Sequence, residues 1–195
     1  MQFLRRIQYN SPAVLTFALI SLAALILGEA TGGASTMKLF CVYRSSPSDP
    51  LTYPRFFLHV LGHSGYEHYM GNMLLMLVVG PPLEEKYGSK PLAAAIVITA
   101  FISGLVQWVF FPGTGLLGAS GIVFMMIVMS SLAGMRSGAI PLTLIFVIVF
   151  YLGKEVADAL TTVDNISRIT HIIGGVCGAV IGYRLPAGGK KLKSG

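Results

Sequence analysis

The sequence is short of charge. Only 11% of its 195 residues are Asp, Glu, Lys or Arg, against 54% hydrophobic residues. A soluble domain carries roughly 25% charged residues, so a soluble globular class is excluded, and the mean hydropathy of +0.73 agrees. Cysteine is nearly absent. Cys41 falls in a loop and Cys177 in an apolar run, which supports neither a disulfide framework nor a thiolate metal site. No stretch reads as a linker and no internal repeat stands out, so residues 1–195 are expected to form a single membrane domain. The net charge is +6. Its basic residues stand singly between apolar runs, which suits topology determinants rather than a nucleic-acid-binding face, and no nucleic acid partner is expected.

Apolar runs dominate. Six approach the roughly 20 residues that cross a bilayer, at about 12–28, 55–80, 91–111, 118–135, 140–159 and 166–183. Backbone polar groups in lipid must be satisfied within the segment, so each is expected to be a helix and the fold all-α. The first run follows Arg5-Arg6 and also fits a secretory signal; because the rest of the chain spans the membrane, it is read as a retained helix.

Lys and Arg placement sets the orientation. With the N-terminus inside, Arg5, Arg6, Lys86, Lys90, Arg136, Arg184, Lys190, Lys191 and Lys193 are internal, nine of the 14, while Lys38, Arg44, Arg55, Lys154 and Arg168 are external. Both termini are therefore expected in the cytoplasm, with Trp108, Phe110 and Phe111 at the outer interface. The tail 188–195 is expected to be disordered and close to anionic lipid.

Ionisable residues inside membrane helices are functional candidates by default. All four histidines fall in apolar runs: His59, His63 and His68 in the second, His171 at the start of the sixth. Asn72 follows His68 by four residues, which puts both on one helix face. The fourth run opens Gly118-Ala119-Ser120-Gly121. In the expected topology these groups lie at similar depth towards the outer side. A serine hydroxyl needs a base to become a nucleophile, and His171 is the base the sixth run offers. A tetrahedral intermediate needs donors for its oxyanion; Asn72, His68 and the Ser120 N–H are candidates. Gly174, Gly178 and Gly182 follow His171 at helical spacing and would let the sixth helix pack closely on the fourth.

Each of these has a blander reading. Ser120 can be a packing serine and Asn72 an interhelical hydrogen-bonding residue. His171 can be an interfacial histidine. His59 and His63 stand at a spacing that can bind zinc, yet the Glu of the metalloprotease signature is missing from Val60-Leu61-Gly62. No metal and no cofactor is expected; His63 is read as supporting an active-site water network and His59 as structural. Lys154, Glu155 and Asp158 are read as solvated at the outer end of the fifth helix.

Taken together, His63-x4-His68-x3-Asn72, Gly80-x3-Glu84-x3-Gly88-Ser89, Gly118-x-Ser120-Gly121 and His171-x2-Gly174-x3-Gly178 resemble the rhomboid intramembrane proteases over most of the chain from Arg55 to Tyr183. The resemblance implies a six-transmembrane-helix rhomboid-like bundle and a Ser120–His171 dyad without a third acidic member. It also implies oxyanion stabilisation by His68 and Asn72, and an aromatic Phe124 packed on the catalytic histidine. His63, Gly118, Gly121 and Gly174 support the site, and Glu84 is implied to be a structural hydrogen-bonding residue. The implied activity is cleavage of transmembrane segments of single-span membrane proteins near their outer ends, in a lipid bilayer, without metal or ATP. Two positions depart from the family pattern. Pro54-Arg55 stands where a Trp-Arg pair is common in the first loop, and Thr170 precedes His171 where alanine is frequent. The minimal form points to a prokaryotic cytoplasmic membrane. Competing readings are a proteolytically inactive rhomboid-like protein that binds membrane helices, and a small proton-coupled transporter using the histidines of the second helix as a relay.

Overall fold

The computed structural model describes residues 8–133 and 165–185, the side chains of the last segment from Ile169, with Leu142, Ile145, Phe146 and Val149 between them. The expected fifth helix at 140–159 falls outside the described residues apart from those four, which are helical and exposed. The tail 188–195 and Lys154, Glu155 and Asp158 also lie outside them.

The fold is all-α in its main elements. Helix α1, Pro12–Ala30, starts with proline in its first turn, where the missing N–H costs nothing. Its 19 residues span about 29 Å at 1.5 Å each, close to the hydrocarbon thickness of a bilayer. Gly33, at φ +87°, leads into a short helix α2, Ala34–Leu39, and strand β1, Val42–Tyr43. Helix α3, Thr52–Leu58, runs into a 3₁₀ turn, His59–Leu61. Helix α4 covers Tyr66–Tyr87 and helix α5 Ser89–Phe110, joined by Gly88 alone at φ +90°. Strand β2, Gly115–Leu116, pairs antiparallel with β1, Val42 opposite Leu116 and Tyr43 opposite Gly115. Helix α6 is Ser120–Ala133 and helix α7 Asn165–Arg184.

Two expectations are corrected here. The run 55–80 is not one helix. The chain turns out of the helical path between Gly62, which is extended, and Gly65, and a Cβ at Gly62 would stand 2.3 Å from the Phe40 carbonyl oxygen. Only glycine lets the first loop approach this closely. The helix that follows continues past Gly80 through Pro81 and Pro82 to Tyr87. Proline disfavours that extension, but tertiary contacts hold it: Leu83 is buried, and the Glu84 carboxylate accepts the Ala13 and Val14 N–H groups at 2.8 and 3.0 Å. Glu84 thus caps α1 from another helix, satisfying two of the amides that a helix start leaves open.

Helix α6 is the central element and packs on α7, α4 and α5. Ile122 to Met126, Val128 and Met129 are all buried. Polarity is distributed as membrane solvation requires. Ser21, Thr99, Ser103 and Gln107 are buried, whereas Leu19, Ile26, Leu74, Val78, Ile98, Val176 and Val180 are exposed. Lipid solvates apolar surface as well as a core does. Among the described residues, α1 and α5 are long and apolar enough to cross a membrane; α6 and the Ile169–Arg184 part of α7 are apolar but shorter.

The first loop is strapped to the C-terminal end of α5. Trp108 Nε1 donates to the Ser45 carbonyl and Arg44 Nη2 to the Val109 carbonyl, each at 3.1 Å, and the Arg44 guanidinium lies 4.6 Å over the Trp108 ring. Arg55, 3% exposed, donates to the Lys38 carbonyl and to Asp49 Oδ2, both at 2.8 Å, beneath the Tyr43 ring. Arg55 therefore ties α2, α3 and the intervening loop together. Pro54 beside it lies in α3.

Candidate active site

Ser120 opens α6. The chain reaches it through Gly118, whose φ of +117° suits glycine alone. The Gly118 N–H donates to the His59 carbonyl at 2.9 Å, which fixes the turn against the 3₁₀ segment. A Cβ on Gly118 would stand 2.8 Å from both Cε1 and Nε2 of His68 and 3.9 Å from Asn72 Nδ2. The imidazole edge of His68 and the amide of Asn72 therefore lie against the backbone that immediately precedes Ser120.

The orientation of His68 follows from its partners. Its Nδ1 faces the Ser64 N–H at 3.4 Å and the Ser64 hydroxyl at 3.1 Å. A backbone N–H can only donate, so Nδ1 is the acceptor and a neutral ring carries its proton on Nε2. That N–H points at Gly118. Asn72 is 7% exposed, and its Nδ2 is a buried donor without a partner among the described residues. Burying such a group is costly unless something accepts its hydrogen bond. Two donors thus converge beside Ser120.

Helix α7 reaches the same place through its glycines. A Cβ on Gly174 would meet the Gly121 carbonyl oxygen at 2.2 Å, one on Gly121 would meet Thr170 Cγ2 at 2.8 Å, and one on Gly178 would meet the Met125 carbonyl at 2.5 Å. The two backbones touch along successive turns, an arrangement small residues permit. His171 is the neighbour of Thr170 and stands three residues before Gly174, so it lies beside the first turn of α6. The Phe124 ring meets the His171 ring edge-on, centroids 6.1 Å apart. Ser120 and His171 are both half-buried.

The remaining predicted positions take their places around this centre. His63 is 2% exposed and donates from Nδ1 to the Leu61 carbonyl at 3.2 Å. Its ring stands edge-on to His68 and Tyr69, at 5.0 and 5.5 Å. His63 Nε2 is thus a buried acceptor, unpartnered among the described residues. His59 is fully buried and donates from Nε2 to the Ala100 carbonyl of α5 at 3.1 Å. The break after Leu61 takes His59 and His63 off a common helix, and the two rings engage different carbonyls. A cavity of about 370 Å³ adjoins the site, with Glu29, Thr36, His63, Ser64 and Leu117 among its walls.

Sequence reasoning missed two positioning groups, the His59 carbonyl that holds Gly118 and the β1–β2 pairing just upstream of Ser120. Backbone contacts of this kind leave no side-chain signature. Gly62 and Gly65, bracketing His63-Ser64, were the available hint of a turn.

Comparison with known proteins identifies the family. Residues 50–187 match the model of the Rhomboid domain. The chain is 28% identical over 141 residues to rhomboid-related protein 2 of Mus musculus, covering 66% of this chain and 47% of that protein. It is 28% identical over 138 residues to rhomboid-related protein 1 of Caenorhabditis elegans, covering 66% and 39%. It is 25% identical over 181 residues to the rhomboid protease GlpG of Pectobacterium atrosepticum, covering 90% and 63%. In each case the match spans less than two thirds of the relative's own length. With most of the chain inside the matched domain, this all-α protein belongs to the rhomboid family and is an integral membrane protein.

Proposed function

We propose that this protein is an intramembrane serine endopeptidase in which Ser120 is the nucleophile and His171 the general base. The observation that carries the reading is the meeting of three distant stretches at the start of α6: the Gly121–Gly174 backbone contact, and the His68 and Asn72 donors against Gly118. Membership of a family whose relatives include a rhomboid protease supports it.

In this mechanism His171 takes the Ser120 hydroxyl proton as Oγ attacks the scissile carbonyl. The carbonyl oxygen becomes an anion and accepts from His68 Nε2–H, Asn72 Nδ2–H and the Ser120 N–H. The C–N bond then breaks, and the leaving amine takes the proton from His171. Water, activated by the same histidine, hydrolyses the acyl ester and regenerates Ser120. The cavity beside His63, whose walls include Glu29, Thr36 and Ser64, gives that water a path from outside.

Six helices cross the membrane with both termini cytoplasmic, and the substrates are single-span membrane proteins cut near their outer ends. The test is incubation of the purified protein, Ser120→Ala and His171→Ala with a single-span substrate and a serine-directed fluorophosphonate. The parent is expected to cleave and to be labelled, and the Ser120→Ala variant to do neither. Equal labelling of both would sink the assignment of Ser120; undiminished cleavage by His171→Ala would sink the dyad. A parent that holds membrane helices without cutting them would identify an inactive binding protein instead.

A further inference from the structure

An apolar groove of about 440 Å³ runs along the outside of the bundle between α1 and α5, away from Ser120. Phe17 and Ile20 form one wall, Ala93 and Val97 the other, and the lining is almost wholly apolar. The groove starts at the N-terminal ends of both helices, where Ser89 and Lys90 stand. Ser89 also lines a second, polar recess of about 690 Å³, whose wall carries Glu85 together with Asn10 and Ser11. The other carboxylate there, Glu84, is already taken up by the amides of α1. Lys90 is exposed and has no carboxylate partner among the described residues. A slot for an alkyl chain thus opens, at one residue, into a recess whose rim offers a cation and a carboxylate, Lys90 and Glu85, neither with a charged partner among the described residues.

From this junction we infer that the α1–α5 groove and its recess bind one membrane phospholipid with an amine-bearing headgroup. One acyl chain lies between Ile20 and Val97. The phosphate sits at Lys90 and the Ser89 hydroxyl, where a fixed cation recognises it as a point charge. The primary ammonium turns into the recess and donates its N–H groups to Glu85, which a choline headgroup of the same charge cannot do. Charge complementarity selects the occupant. An anionic lipid without an amine leaves Glu85 facing a neutral or negative group, and a free fatty acid leaves the recess empty.

The test uses the full chain in detergent. Phosphatidylethanolamine, phosphatidylglycerol and phosphatidylcholine with identical acyl chains are titrated in, and bound lipid per chain is counted by native mass spectrometry. The parent should retain one phosphatidylethanolamine in preference to the other two. Lys90→Gln should weaken retention about fivefold, the loss of one Lys–phosphate attraction. Glu85→Gln should erase the preference among headgroups. Ala93→Trp, which fills the groove, should weaken all three lipids about tenfold; Val97→Phe serves the same purpose if circular dichroism shows the tryptophan variant misfolded. Parental retention by the filled groove, indifference to headgroup in the parent, or displacement by water-soluble glycerophosphoethanolamine alone would each overturn the assignment. So would a dimer whose formation, rather than lipid uptake, responds to these substitutions.

Discussion

The Cα hydrogens of Gly174 face the carbonyl oxygen of Gly121 so closely that a Cβ on Gly174 would stand 2.2 Å from it. No side chain fits between these helices at that level, and the residue one turn earlier on α7 is His171. Gly174→Ala must push α7 off α6. Overpacking of this kind costs about 1–3 kcal/mol, and a shift of ~1 Å at a catalytic pair costs on the order of 100-fold in rate. Cleavage should therefore fall far more than the thermal midpoint in detergent. Parental activity in Gly174→Ala would disprove the positioning role of this contact.

Gly118 presents a different constraint, since its φ of +117° and the His68 ring both exclude a side chain. Gly118→Ala should lose activity through strain and displacement of His68. Removing the donors directly is milder. His68→Ala and Asn72→Ala should each lower kcat about 10²–10³-fold, as loss of one oxyanion donor does, with little change in KM. Initial rates on a single-span substrate across a concentration series distinguish the two constants. A rise in KM at constant kcat would assign these residues to substrate binding instead.

Glu84 caps α1 with both carboxylate oxygens. Glu84→Ala leaves two amides of a buried helix start without acceptors, at about 1.5–3 kcal/mol per hydrogen bond to a charged group. Glu84→Gln keeps one acceptor oxygen and should recover roughly half the loss. Unfolding in mixed micelles, followed by circular dichroism, gives the order parent, Gln, Ala. Equal stability of all three would show that the cap contributes nothing.

Asp49 gives the first loop a pH dependence. The Leu51 N–H and then Arg55 hold its carboxyl below the usual carboxylate range. A carboxylate with a depressed folded value contributes stability above its unfolded value of about 3.9 and loses it as pH falls through the folded value. The loop should therefore be firm at neutral pH and loosen below about pH 4. Asp49→Asn should be less stable than the parent at pH 7, and the gap should close in acid. Hydrogen exchange of residues 44–56 at pH 7 and at pH 3 reads this, and a gap that widened in acid would contradict it.

Most of the candidate site could be read in the residues themselves. Polar groups that lipid does not tolerate stand out against an apolar background, and the spacing of His68, Asn72, Ser120, Gly121, His171 and Gly174 reports which helix turns they share. The positions of α1, α5, α6 and α7 were equally legible, because a backbone in hydrocarbon must satisfy its own hydrogen bonds and the length of an apolar run then sets the length of a helix. Continuity of apolar character could not reveal the break between Gly62 and Gly65, where the Phe40 backbone of a distant loop occupies the space a Gly62 side chain would need. Nor could it reveal that α4 runs past two prolines.

Sequence by itself thus determined the solvent this chain is built for, the positions of most of its described helices and a set of candidate residues, all properties of short stretches. Tertiary structure alone decided that Glu84 caps a helix 70 residues upstream, that the His59 carbonyl holds Gly118, and which edge of His68 faces Gly118. These depend on backbone groups, identical in every residue, meeting across the packed bundle. Their partners are chosen by how closely the glycines let the helices approach.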